Sequence, residues 1–295
     1  MKWRTLAIAL AVGALSLTAC GKEGNPGGGG AVVNESAATG VQVAGSPTFD
    51  KISHRGGVVV GVRADQPGLS FKDATTGQYA GFDIEIARLV ATQLGYGGDK
   101  ITYKTVPSAA REDAISRGDV DYYVGTYTIN DNRKQRVGFA GPYFVAGQSL
   151  LVRKDDTTIT SKDTLKGKKV CSATGSTPIQ RVQQQQLTEP DNIVQFQTYG
   201  QCVDQLLKGQ VDVLTTDDAI LKGYAAQMPD KLKVVGQPFS TEPYGIGLNR
   251  DDTALRAKIN DILQASYDNG IWQKIYDTTL GKSGTASSPP QLQRY

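Results

Sequence analysis

The sequence predicts an α/β protein built as two lobes joined by two crossover strands. Three observations carry this expectation. Short apolar runs alternate with amphipathic helical stretches over residues 49–280. The segment Arg117-Gly118-Asp119-Val120-Asp121 recurs as Lys208-Gly209-Gln210-Val211-Asp212. Two extended segments, 141–152 and 239–248, connect the units that carry the two copies.

The elements follow in order. Residues 56–62, with Val58-Val59-Val60 at their centre, form the apolar run of a buried parallel strand. Asp83 is placed to cap a helix through Leu94, ended by Gly95. Ile101-Thr102-Tyr103 is a second strand, 109–117 a short helix ended by Gly118, and 120–125 a third strand. This β-α-β order predicts a mostly parallel sheet with helices on both faces. Each repeat copy follows an amphipathic helix and opens an apolar strand, and chance likeness of two helix–turn–strand units is the competing explanation. Five residues beyond each repeat Asp stands a polar residue, Thr126 and Asp217. Open α/β sheets bind ligands beyond the carboxyl ends of their strands, which places Thr126, Thr128 and Asp217 in one cleft if the lobes face each other. The crossovers assign 49–143 plus 245–280 to lobe 1 and 144–244 to lobe 2, and together they make a hinge.

The flanks have another character. Lys2 and Arg4 precede an apolar run from Leu6 to Leu17, too short to span a bilayer and long enough for a secretory leader. Leu17-Thr18-Ala19-Cys20 is similar to a bacterial lipobox, which implies cleavage after residue 19 and a lipid on the Cys20 thiol. An ordinary signal peptide is the alternative. Residues 20–48 are Gly-rich, polar and without an aromatic, so they read as a flexible tether. Residues 281–295, rich in Pro and Gln, read as a disordered tail. Removing Lys2 and Arg4 leaves 30 basic against 29 acidic residues, a net charge of +1. No basic tract suggests nucleic acid, and a monomer is expected. Export leaves Cys171 and Cys202 as an even pair, expected as a disulfide, with two buried thiols as the alternative. One His, His54, and two Cys are too few ligands for a metal site, and no cofactor is expected.

Four groups could hold a charged ligand. Arg133, after the strand end and polar turn that begin at Thr126, can grip a carboxylate with both arms of its fork, or lie on the surface beside Lys134 and Arg136. Thr174-Gly175-Ser176-Thr177-Pro178 can present free amides to an anion, or be a plain helix start with Thr177 as cap and Pro178 first in the helix. Asp217 can accept an ammonium group or cap the next helix. Arg63 can meet a second acid on the ligand or pair with Asp65 or Asp73. Two cationic sites, one anionic site and an amide nest complement a dicarboxylic amino acid.

Gly81-Phe82-Asp83-Ile84, the run from Thr128 to Arg133, Gly138-Phe139-Ala140-Gly141-Pro142-Tyr143, the run from Thr174 to Pro178, and Thr216-Asp217-Asp218-Ala219-Ile220-Leu221 occur in this order. In that combination residues 49–280 resemble the polar amino-acid-binding proteins of ABC importers, extracellular solute-binding family 3. The resemblance implies a type II periplasmic-binding-protein clamshell that closes over a free amino acid and delivers it to a permease. It implies Arg133, Thr128 and the amides of Gly175, Ser176 and Thr177 for the α-carboxylate, Asp217 for the ammonium, Ser108 facing the cleft, and Arg63 for a side-chain carboxylate. The stretch 61–72 is similar to actinobacterial glutamate-binding lipoproteins, in which a disulfide also occurs. The family's aromatics near Gly68 are reduced here to Phe71, which argues against an arginine or lysine ligand, since those want stacking. Tyr127 stands where many members have Met.

A receptor for glutamate, with aspartate second, is the function these readings favour. A binder of glutamine or asparagine and an amino-acid sensor share the site. A dehydratase would need Glu112, Asp113 or Asp218 as acid and base, and no nucleophile–base pair is evident.

Overall fold

The computed structural model describes residues 36–283 and 286–295. The expected leader, Cys20 and residues 20–35 of the expected tether lie outside the described residues. Lobe 1 opens with α1 (Pro47–Arg55) and β1 (Val58–Val62), then β2 (Asp65–Gln66), β3 (Ser70–Lys72) and β4 (Tyr79–Ala80). It continues through α2 (Phe82–Gln93), β5 (Ile101–Thr105), α3 (Arg111–Ser116), β6 (Tyr122–Tyr123) and α4 (Asp131–Lys134). β7 (Gly138–Ala146) crosses to lobe 2. That lobe holds β8 (Gln148–Arg153), β9 (Val170–Ala173), α5 (Thr177–Gln184), β10 (Ile193–Phe196), α6 (Tyr199–Leu207), β11 (Val213–Asp217), α7 (Asp218–Gln227) and β12 (Leu232–Val235). β13 (Glu242–Leu248) returns, and α8 (Thr253–Asp268) and α9 (Ile271–Thr278) complete lobe 1.

The two lobes carry sheets of the same plan, β5-β1-β6-β13-β7 and β10-β9-β11-β8-β12. Four strands of each run the same way, and only the fourth in order, β13 in one sheet and β8 in the other, runs against them. The sheets are therefore mostly parallel as expected, with one reversed strand each, because the chain comes across the hinge into lobe 2 on β8 and back into lobe 1 on β13. The sequence repeat is a structural one. Asp121 accepts a hydrogen bond from Val59 N at 2.7 Å, and Asp212 accepts one from Lys169 N at 2.8 Å. Each repeat Asp thus clamps the start of the neighbouring parallel strand, and Gly118 and Gly209 before them turn with φ of 70° and 69°. The crossover strands pair with each other, Glu242 opposite Ala146 and Tyr244 opposite Phe144, so the hinge is a two-stranded ribbon. Phe82 at the start of α2 packs on Tyr143, Phe144, Trp272 and Tyr276, which anchors that ribbon in lobe 1.

Three local expectations change. Asp83 is no helix cap: Gly81 stands before α2 and Asp83 is buried inside its first turn. The folded body starts before residue 49. Ala38 N donates to Thr92 O at 3.0 Å, Val43 is buried, and Ser46 caps α1 while donating to Asp252 at 2.7 Å. The tail is ordered over 286–295. Gln293 N donates to Gly141 O at 2.8 Å, and the Tyr295 hydroxyl accepts from Phe139 N at 2.8 Å. The Tyr295 ring lies between Lys134 and Arg256. Its partner is the free edge of β7, which would otherwise expose unpaired backbone. A composition argument cannot see a partner that far away in sequence.

Cys171 of β9 and Cys202 of α6 form a disulfide, closing a loop of 31 residues. Replacing both with Ala should cost ~3 kcal/mol and lower the melting temperature by roughly 5–10 °C. Calorimetric melts of the two proteins measure it, and equal temperatures would mean that the bridge adds nothing to the folded state.

Candidate functional site

The strand ends of the two sheets face each other, and the lobes are closed. Thr128 and Thr177 hydroxyls lie 3.4 Å apart across the cleft, and Arg133 Nη2 donates to Gly175 O at 3.3 Å. A cavity of about 290 Å³ beside Arg133 is lined by Ser108, Glu112, Asn130 and Arg133 from lobe 1 and Gly175 and Gln180 from lobe 2.

Arg133 is buried, not a surface residue. Asn130 caps α4 by accepting from Arg133 N, which starts the turn that aims the side chain inward. Its Nη1 donates to Thr128 O at 2.7 Å, and Glu112 approaches Nε only to 3.5 Å. Sequence reasoning missed the second cation here. Arg111, 2% exposed, donates to the carbonyls of Ser108 and Thr126. Among the described residues no carboxylate reaches it within ion-pair distance. The two guanidiniums pack on the Tyr127 ring at 4.2 and 5.0 Å. Burial, and then the charge of Arg111, lower the pKa of Arg133 to about 10. Arg133 therefore stays cationic at neutral pH, in surroundings that disfavour the charge.

Asp217 stands opposite, at the end of β11. It precedes α7 but makes no capping bond, so the capping alternative falls away. Its Oδ2 accepts from the Tyr244 hydroxyl at 2.7 Å. Its buried Oδ1 has no partner. Burial first, and then the neighbouring Glu242, push its pKa up to about 7. A buried carboxylate oxygen without a donor is costly, and an ammonium group would satisfy it.

The nest is shifted by one residue from expectation. Ser176, not Thr177, caps α5, Thr177 is first in the helix and Pro178 second. The Thr177 hydroxyl is then free to donate to Glu242 at 2.9 Å. Glu242 is itself held by Arg181 at 2.8 Å. Gly175 has φ 76°, and a Cβ there would lie 2.7 Å from the Cα of Ala109 in the other lobe. Thr126 has φ 47°, with its amide donating to Asp83 and its hydroxyl paired with Gln66. Arg63 is buried and pairs with Asp65 at 2.8 Å, one of the two roles open to it, while its Nη1 donates to the Ser108 hydroxyl at 3.2 Å. Burial opposes its charge most strongly, but Asp65 together with Tyr123 and Tyr199 raises its pKa overall. The sequence signal for Arg111 was its place three residues after Ser108, one helical turn onward at the mouth of the cleft.

The candidates for acid and base chemistry do not converge. Asp113 pairs with Arg136, Asp218 with Lys222, and His54 is exposed on α1. Among the described residues no cluster of His, Cys, Asp and Glu is placed to hold a metal, and no helix is long and apolar enough to cross a membrane.

Comparison with known proteins agrees with this geometry. The family model of bacterial extracellular solute-binding proteins, family 3, matches residues 58–282. The glutamate-binding protein GluB of Corynebacterium efficiens is 38% identical over 237 residues, 77% of this chain and 80% of that protein. The glutamine-binding protein of Geobacillus stearothermophilus is 38% identical over 83% of this chain and 91% of its own. The solved structure of an ancestral arginine-binding protein bound to arginine superposes with a TM-score of 0.70 at 35% identity, covering 76% of this chain and 98% of that one.

Folding raises the Asp217 pKa, so it favours the protonated form. That stabilisation is complete below about pH 4 and is lost as pH rises through about 7. Asp217→Asn should therefore raise ligand-free stability at pH 8 by ~2 kcal/mol, with the gain shrinking toward pH 5. Thermal melts at both pH values measure it, and a destabilised variant at pH 8 would mean that the Asp217 charge is already balanced.

Proposed function

The chain belongs to the bacterial extracellular solute-binding proteins, family 3, and we propose that within it this protein is a receptor for glutamate, and secondarily aspartate, anchored by a lipid on Cys20. The family places it outside the cytoplasm as the non-enzymatic, polar amino-acid-binding part of an ABC importer, with a permease as partner. The anchor rests on residues 1–20 alone.

The observation that carries the acidic ligand is the buried pair Arg111 and Arg133, two like charges flanking Tyr127 with one loose carboxylate contact between them. Arg133 takes the α-carboxylate, helped by Thr128 and the amides from Gly175 to Thr177. Asp217 Oδ1 takes the ammonium. A second carboxylate on the ligand neutralises Arg111, with Ser108 and Arg63 beside it and Thr126 closing the floor. Glutamine offers an amide oxygen that can accept a hydrogen bond from Arg111 but cannot cancel its charge. Glutamine is the second reading, favoured by the likeness to the Geobacillus protein. An arginine ligand would bring a further guanidinium against Arg63 and Arg111. Binding adds to the stability of the closed form because the charged ligand contacts both lobes only when they meet.

Calorimetric titration with glutamate, aspartate, glutamine, asparagine, arginine and cystine tests the reading. Glutamate or aspartate should bind tightest. Arg133→Ala should abolish binding of every amino acid. Arg111→Met should weaken glutamate by roughly 100-fold and glutamine by only a few-fold, since a charged hydrogen bond contributes ~2–3 kcal/mol. Arg63→Ala should also cost glutamate more than glutamine. Tight binding of a neutral or basic amino acid, or equal losses across ligands for Arg111→Met, would overturn the acidic assignment.

A further inference from the structure

We infer that the rim formed by residues 65–67 of lobe 1 and residues 197–199 and 223–224 of lobe 2 is a latch that holds the cleft shut without help from any ligand. At this rim the lobes touch directly. Asp65 Oδ2 accepts from Tyr199 N at 2.8 Å, and its Oδ1 accepts from Arg63 Nη2 at 2.8 Å and Nε at 3.0 Å. Tyr199 is the first residue of α6, and its amide is one of the groups that the helix itself cannot satisfy. A carboxylate from the other lobe fills that role and meets the positive end of the helix dipole. Arg63 Nη2 also reaches Gln197 O at 3.4 Å, and its guanidinium lies 5.8 Å from the Tyr199 ring. The Tyr224 hydroxyl of α7 donates to the carbonyl of Asp65.

Gly223 completes the fit. It lies inside α7, where glycine weakens a helix by about 1 kcal/mol relative to alanine. A Cβ there would stand 2.2 Å from the Pro67 carbonyl oxygen of lobe 1. Only glycine lets α7 come this close to lobe 1, so a residue that weakens lobe 2 on its own is what closure needs. None of these bonds uses the faces of Arg133, Arg111 or Asp217 that are open to a ligand. They join residues of opposite lobes across the rim, so parting the lobes breaks them; they therefore raise the closed population before binding, and an apparent dissociation constant scales inversely with that population.

Small-angle scattering and amide hydrogen exchange on the ligand-free full chain test this, with Asp65→Asn, Tyr224→Phe and Gly223→Ala as variants and glutamate as the added probe. In the unaltered chain the Tyr199 amide should be protected without glutamate. Asp65→Asn and Tyr224→Phe should each expand the ligand-free protein, and Asp65→Asn should speed Tyr199 exchange by about tenfold. Gly223→Ala should melt at the same or a higher temperature, stay expanded when glutamate is added, and lose affinity for every amino acid by a similar factor. Because it should strengthen its own helix, it keeps the test open even if Asp65→Asn folds poorly. Equal Tyr199 exchange in the unaltered chain and Asp65→Asn, or a Gly223→Ala protein as compact as the unaltered one, would overturn the latch. The ligand-free readings decide the matter even if glutamate proves not to bind.

Discussion

The hydrogen bond from Tyr244 to Asp217 ties the hinge of this protein to its cleft. Tyr244 sits on β13, one of the two strands that join the lobes. Its side chain reaches into lobe 2 to hold Asp217, while its backbone forms a bridge with Thr128 of lobe 1. The other hinge strand repeats the device. Tyr143 on β7 donates to Asp83 at 2.8 Å, and Asp83 in turn accepts from Thr126 N. The two tyrosine rings lie 6.1 Å apart. Each hinge strand therefore carries a phenol set on a buried carboxylate, and each carboxylate is pushed up to about 7, chiefly by burial. One carboxylate fixes the left-handed turn at Thr126, and the other keeps one oxygen open toward the cleft. Hinge and binding residues are thus one hydrogen-bonded unit, so lobe motion and site geometry cannot vary independently.

Charge placement in the cleft makes sense only with a ligand counted in. Arg63 has its own carboxylate in Asp65, and Glu242 has its own cation in Arg181. Arg111, Arg133 and Asp217 lack equivalent partners. Two buried cations and one buried anion, with only the loose Glu112 contact on Arg133, are the charge pattern on which the proposed dicarboxylic ligand rests. A protein selected for stability alone would pair these groups or replace them with apolar ones, since uncompensated buried charge destabilises the fold. Under the proposed function, that cost marks the residues whose partner comes from solution.

The architecture was readable from sequence because it rests on local signals repeated at a fixed distance. The segment around Asp121 recurs around Asp212, and each Asp makes the same clamp on its neighbouring strand. Arg133 and Asp217 were readable because strand ends and polar turns locate a cleft. What stayed hidden depends on partners far away in sequence. Arg111 looks like an ordinary helix residue until its neighbours turn out to be the carbonyls of Ser108 and Thr126 and the face of Tyr127. Asp83 has the spacing of a helix cap, but Tyr143 and the Thr126 amide claim its oxygens. Residues 286–295 have the composition of a loose tail, yet the open edge of β7 gives them backbone and aromatic contacts. The shift from Thr177 to Ser176 as the cap of α5 is a single-residue matter that sequence rules do not resolve.

Arg63 shows why position at a cleft does not by itself assign a role. As a sequence element it could read a ligand carboxylate or pair with Asp65, and both need the same guanidinium. In the folded protein Asp65 takes its Nε and Nη2, and Ser108 takes Nη1. What remains for a ligand is a cation already largely neutralised, beside a second cation, Arg111, that is not. Electrostatic attraction in a buried site scales with uncompensated charge, so the stronger pull on a side-chain carboxylate comes from Arg111. Arg63 instead faces the other lobe through Gln197 and through the carboxylate that holds α6. The two arginines divide the work under the proposed function: Arg111 is the one left to answer a ligand, and Arg63 sits where the lobes meet.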